Sequence, residues 1–98
     1  MKLHDVAVVG ATGLVGRAMI RVLEERKFPV NRLVLLASPR SVGKEISFGT
    51  SAVAVNSLDP SGFRNVGIAL FSAGAAVSRE FAPAAVKAGA VVIDNSSA

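Results

Sequence analysis

The chain has 98 residues, 51% of them hydrophobic and 18% charged, with no Cys, Trp or Tyr. That length suits one small domain, the apolar fraction excludes disorder, and the lack of Cys excludes a disulfide framework and thiolate chemistry within these residues. A net charge of +4, from 11 Lys and Arg against 7 Asp and Glu, favours an anionic partner without saying where it binds.

The opening Met1-Lys2-Leu3-His4-Asp5 places an acid where a signal peptide needs an apolar run. The uncharged stretch Val66 to Ser78 is too short to span a bilayer. A cytoplasmic protein with no membrane partner is expected.

In chain order, Val6-Ala7-Val8-Val9 predicts a first strand, ending at Gly10. Leu14, Val15, Ala18, Met19, Val22 and Leu23 then form an i, i+1, i+4, i+5, i+8, i+9 stripe, one face of a helix. Arg17, Arg21, Glu24 and Glu25 lie off that stripe, and Phe28-Pro29 stops the helix. Leu33-Val34-Leu35-Leu36-Ala37 predicts the second strand. Gly43 to Gly49 and Ser51 to Val55 predict a hairpin around Gly49-Thr50. Asn56 to Asn65 reads as loop, with one helical turn near Pro60–Phe63. Val66 to Phe71 is the next strand. A helix follows from Ala75 to Ala88, with Pro83 as a kink or restart and Gly89 as its C-terminal cap. Ala90-Val91-Val92-Ile93 is the last strand.

Continuous apolar runs of this kind predict strands buried on both faces, which belong to parallel sheets covered by helices. The element order therefore predicts an α/β, Rossmann-like fold: a mostly parallel sheet with helices on both faces and a short β-hairpin excursion.

Three segments carry chemistry. Gly10-Ala11-Thr12-Gly13-Leu14-Val15-Gly16 joins a buried strand to an amphipathic helix. Glycines there let the backbone turn tightly and approach a diphosphate, and the free N–H groups of the helix start hold the anion. Without a ligand, the same residues make a tight strand-to-helix turn. The second segment is Ala37-Ser38-Pro39-Arg40-Ser41, where an NAD-binding fold carries an acid for the ribose hydroxyl. Ser38, Arg40 and Ser41 stand there instead, and a permanently charged, bidentate guanidinium suits a 2′-phosphate, which points to NADP. The competing reading is a polar loop with a solvated Arg. The third is Phe71-Ser72-Ala73-Gly74-Ala75, where small residues at a strand end let a cofactor pass close to the backbone; an ordinary strand-to-helix turn looks the same. Asp94-Asn95-Ser96-Ser97 ends the last strand in the same crevice, with Asp94 either an acid or an organiser of loop amides.

His4 lies before the first strand, far from that edge. No basic run or aromatic interleaving supports nucleic-acid binding, and no His, Cys, Asp or Glu grouping has metal spacing.

Taken together, Val8 to Gly16, Leu35 to Ser41, Leu70 to Gly74 and Val92 to Ala98 resemble, in order, the N-terminal part of aspartate-semialdehyde dehydrogenases. The resemblance implies an NADP- and phosphate-dependent interconversion of aspartate semialdehyde and aspartyl phosphate, a step toward lysine, threonine and methionine. It implies that Gly10 and Thr12, Gly13, Leu14 and Val15 wrap the diphosphate. Ser38, Arg40 and Ser41 would hold the 2′-phosphate, and Ser72, Ala73 and Gly74 would border the nicotinamide half. The family's Cys nucleophile and His base belong to a second domain, so residues 1–98 are expected to be a truncated cofactor-binding domain with no catalytic residue of its own, from an enzyme that is dimeric at full length. The acyl-phosphate reductase of arginine synthesis shares the glycine turn but differs at the segments matching Ser72–Gly74 and Asp94–Ala98. Two other readings stay open. One is a nucleotide-binding module or catalytically dead relative. The other is an extended short-chain reductase or epimerase, which needs a Tyr-x-x-x-Lys pair, and the chain has no Tyr.

Overall fold

Residues 2–95 are described by a computed structural model. The elements are β1 (His4–Val9), α1 (Leu14–Glu25), β2 (Val30–Ala37), β3 (Glu45–Phe48), β4 (Ser51–Ser57), β5 (Ile68–Phe71), α2 (Ala75–Lys87) and β6 (Val91–Asp94). Short 3₁₀ turns occupy Pro39–Ser41 and Pro60–Phe63. The strands form one sheet in the order β3-β4-β2-β1-β5-β6. Every neighbouring pair is parallel except β3–β4, the expected hairpin.

The chain leaves β1 toward β2 and later returns to its other side as β5, so the sheet reverses its winding at β1. In open α/β sheets such a reversal opens a crevice beyond the strand ends. Register brings those ends level: Val9 pairs with Leu36 and with Phe71, and Phe71 pairs with Asp94.

Alternation along β1 divides the core. Val6 and Val8 join Ile20, Leu33, Leu35 and Val55 on the α1 face. Ala7 and Val9 join Leu36, Phe63, Phe71 and Ala85 on the α2 face. Phe63 and Phe71 stack with ring centroids 5.9 Å apart, both fully buried. Helices thus cover both faces of the sheet, and the Rossmann-like architecture is as expected.

Three expectations are corrected. An apolar stripe ordinarily marks the face packed on the core, but the stripe of α1 only partly does so: Leu14 is 88% exposed, Val15 and Val22 about half exposed, Leu23 packs against the core, and the buried positions are Gly16 and Ile20. A Cβ on Gly16 would lie 2.1 Å from the Gly10 carbonyl oxygen, so the helix presses its bare Gly16 side against the turn and leads Ile20 onto the sheet. The stripe borders a shallow apolar groove with Leu70 and Ile93. Secondly, β6 is not buried on both faces. It is an edge strand, with Val91 63% and Ile93 47% exposed. Thirdly, Pro83 does not mark a restart, since α2 runs from Ala75 to Lys87 through it; Gly89, with φ +98°, follows as the expected terminator.

The hairpin is fastened to α1. Gly49, at the tip with φ +63°, donates its N–H to Glu24 Oε1 at 2.6 Å.

Candidate functional site

The glycine turn leaves β1 at Gly10, whose φ of +86° favours glycine. The Gly10 N–H donates to the Leu36 carbonyl at 2.8 Å, carrying the β1–β2 ladder one residue past the strand. A Cβ here would meet the Ala73 backbone and side chain at 3.0–3.1 Å, so the turn abuts the segment after β5. Gly16 is excluded from bearing a side chain by the 2.1 Å approach already described.

Gly13 differs from both. Its φ is −76°, open to any residue, and an added Cβ would meet only the Gly10 carbonyl oxygen at 3.5 Å, an ordinary contact. Folding does not require a glycine there. Gly13 is the N-cap of α1 and supplies no side-chain cap. The amides of Leu14, Val15 and Gly16 have no acceptor four residues back within the helix, and the positive end of the helix dipole lies beside them. Bare backbone at Gly13, donors on the exposed Leu14 and Val15, and positive potential coincide at this position.

The Ser38–Ser41 segment lies next to it. Ser38 caps the 3₁₀ turn, its carbonyl accepting the Ser41 N–H at 2.9 Å. Ser41 is 8% exposed, and its Oγ is 3.0 Å from Thr12 Oγ1 in a hydroxyl–hydroxyl hydrogen bond. Arg40 is exposed beside it. The structure therefore brings two segments separated by 29 residues into direct contact. Sequence reasoning named both hydroxyls without foreseeing that they bond each other. It left Arg17 unassigned. Its Nε donates to the Thr12 carbonyl at 3.1 Å. The available signal was a cation directly after the third glycine, at a helix start, where the dipole disfavours positive charge.

Ser72 is at the expected strand end, but its hydroxyl donates back to the Val9 carbonyl at 3.0 Å, the same oxygen that accepts the Ser72 N–H at 3.0 Å. Its side chain fixes the turn. Ala73 is exposed, and Gly74, with φ +102°, begins α2, again without a side-chain cap. The starts of both helices therefore flank the same edge. Asp94 closes β6, and the Asn95 N–H donates to the Phe71 carbonyl at 2.8 Å. Ser96, Ser97 and Ala98 lie outside the described residues.

Elsewhere, His4 is at the opposite end of β1, its ring centroid 5.6 Å from that of Phe28. Asp59, after β4, accepts the Ser61 hydroxyl at 2.7 Å and the Ser61 N–H at 2.8 Å. These bonds hold its carboxyl below the ordinary value of 3.8. Among the described residues no cluster of three or more His, Cys, Asp or Glu could hold a metal, and no helix is long and apolar enough to cross a membrane.

The sheet reversal and the uncapped glycine turn define a Rossmann-like nucleotide-binding domain. A family model described as "Semialdehyde dehydrogenase, NAD binding domain" matches residues 5–98. The aspartate-semialdehyde dehydrogenase of Legionella pneumophila is 55% identical over 93 residues, which are 95% of this chain and 27% of that protein. The crystal structure of aspartate semialdehyde dehydrogenase II from Vibrio cholerae, complexed with ASA, superposes with a TM-score of 0.90 at 50% identity, covering 98% of this chain and 31% of that one. The enzyme of Candida albicans, solved with NADP, superposes with a TM-score of 0.78 at 25% identity, covering 97% and 30%. A relative named USG-1 protein homolog, from Azotobacter vinelandii, is 48% identical over 94 residues, 96% of this chain and 28% of that one.

The chain belongs to the semialdehyde dehydrogenase NAD-binding domain family. It corresponds to the NAD(P)-binding part of aspartate-semialdehyde dehydrogenases, which are oxidoreductases, and spans under a third of the length of these relatives.

Proposed function

We propose that residues 1–98 are the N-terminal NADP-binding domain of an aspartate-semialdehyde dehydrogenase. The observation that carries this reading is the Thr12–Ser41 hydrogen bond at 3.0 Å, which sets the bare helix start beside the Ser38–Ser41 segment. A dinucleotide whose diphosphate lies on the first then presents its adenosine ribose to the second. Gly13 supports the fit: a side chain there would project into the space the diphosphate needs, although the fold would tolerate it. In this reading Gly10 shapes the turn, closed by the Gly13 N–H on the Gly10 carbonyl at 3.1 Å, and the N–H groups of Leu14 and Val15 bind the diphosphate with Thr12 beside the bare Gly13. Ser38, Arg40 and Ser41 bind the 2′-phosphate, with Ser41 acting through its hydroxyl and the Thr12 pair. Ser72, Ala73 and Gly74 wall the nicotinamide half.

Bound NADP supplies a hydride acceptor. The contribution of this chain is to orient it and to match its charge. The thiol nucleophile and the imidazole base of a phosphorylating aldehyde dehydrogenase, the sites for aspartate semialdehyde and phosphate, and the homodimer contacts then come from the rest of the protein, since residues 1–98 contain no Cys and only His4. A second reading is a nucleotide-binding module without this activity; the Azotobacter vinelandii relative is named USG-1 protein homolog and not as a dehydrogenase.

Calorimetric titration tests the cofactor assignment. NADP binds more tightly than NAD, and Arg40→Met shrinks the ratio by roughly tenfold, the scale of one charge-assisted hydrogen bond. Equal affinities for the two cofactors contradict it. NADP binding without turnover of aspartate semialdehyde by the longer protein supports the second reading.

A further inference from the structure

We infer that Arg17 is a second cationic contact for the 2′-phosphate, and so a specificity-determining residue of this chain. The inference rests on the NADP assignment above and adds to it a side chain from α1.

Arg17 is exposed, and its guanidinium folds back along the helix until Nε donates to the Thr12 carbonyl at 3.1 Å. The Thr12 hydroxyl is in turn 3.0 Å from Ser41 Oγ, next to Arg40. One short path therefore links the Arg17 guanidinium, through Thr12, to the hydroxyl of Ser41, whose chain neighbour is the exposed Arg40. The Nε bond uses one of the five donors of a planar fork and fixes its plane, leaving the terminal nitrogens with little orientational freedom to lose when an anion arrives.

Electrostatics points the same way. Arg17 is the fourth residue of α1, whose first turn holds no acid. A cation there opposes the helix dipole. The cost is offset only when negative charge is placed beside it. The charged groups that share its groove with β3 are Arg21, Glu24 and Glu45. Glu24 is engaged by the Gly49 N–H, and Glu45 lies at the exposed start of β3. A dianion at Thr12 and Ser41 is the stronger attractor, because it brings two charges to a point already flanked by Arg40 and helix amides.

The test uses two probes that differ only in the 2′-phosphate, adenosine 2′,5′-bisphosphate and adenosine 5′-monophosphate, titrated into the 98-residue chain. The wild-type chain is expected to prefer the bisphosphate. Arg17→Met is expected to reduce that preference about tenfold and leave the monophosphate affinity within about twofold. Arg17→Lys, which keeps the charge but not the fork, is expected to fall between them. An amide spectrum of each variant checks that the fold is intact. Unchanged preference in Arg17→Met overturns the inference and leaves the NADP assignment standing. Equal loss for both probes also overturns it, by showing that Arg17 only braces the turn. No preference in the wild-type chain overturns the NADP assignment itself, and the inference with it.

Discussion

Three glycines within seven residues have three separate physical causes. Gly10 is held at positive φ against Ala73, Gly16 is pinned under the Gly10 carbonyl, and Gly13 is free of both constraints. Their variants should separate accordingly. Gly16→Ala forces backbone atoms apart and is expected to lower stability by about 3 kcal/mol or more, read as a fall in denaturant midpoint. Gly13→Val is expected to cost about 1 kcal/mol, as a poor helix cap, while abolishing NADP binding by titration. Retained binding in Gly13→Val means that the bare turn serves no ligand. The spacing of these glycines was legible in the sequence, but their division of labour was not, because it depends on approaches between atoms far apart along the chain, such as Gly10 to Ala73. Asp59 gives a prediction of a different kind. Its carboxyl is stabilised as the anion by Ser61, so its contribution to folding is present above the unfolded value of 3.8 and is lost as pH falls through the depressed folded value. A carboxyl NMR titration should place Asp59 below 3.8, and Ser61→Ala should raise it back toward that value.

Among elements, the tip of the β3–β4 hairpin is tied to α1 by one exposed contact, the Gly49 N–H on Glu24, while β4 pairs with β2 and Ile46, Phe48 and Val53 pack against the α1-face core. Glu24→Ala is expected to speed hydrogen exchange at the Gly49 amide by roughly tenfold, the scale of one charge-assisted bond, with exchange in β1 unchanged. Equal acceleration in both places would show that the hairpin is not an independent unit. The elements themselves were readable from period and punctuation: the hairpin at Gly49-Thr50, the short turn at Pro60–Phe63 and the helix ending at Gly89 all stand where the residues put them. Their faces were less readable. The apolar period of α1 identified a helix, yet Gly16 set its rotation, a contact that hydrophobicity does not encode. The run at Ala90 to Ile93 likewise identified a strand, but its burial depends on a neighbour in the sheet, and β6 has one on only one side.

At the scale of the molecule, the strand order matters more than any single side chain. Placing β1 between β2 and β5 puts the glycine turn, the Arg40 loop and the Ser72–Gly74 segment along one edge. Alternating apolar faces on β1 hold that edge rigid from both sides. The order of elements in the sequence made this arrangement foreseeable, since right-handed crossovers leave few alternatives. What it could not supply was the hydroxyl bond that joins two of the segments, or the guanidinium that braces it. The most direct measurement is an amide chemical-shift map of the ¹⁵N-labelled chain titrated with NADP. Saturable shifts are predicted at Gly13, Leu14, Val15, Arg40, Ser41, Ala73 and Gly74. Shifts confined elsewhere, for example to the sheet face near Arg32, Asn56 and Arg64, with the glycine turn unmoved, would contradict it.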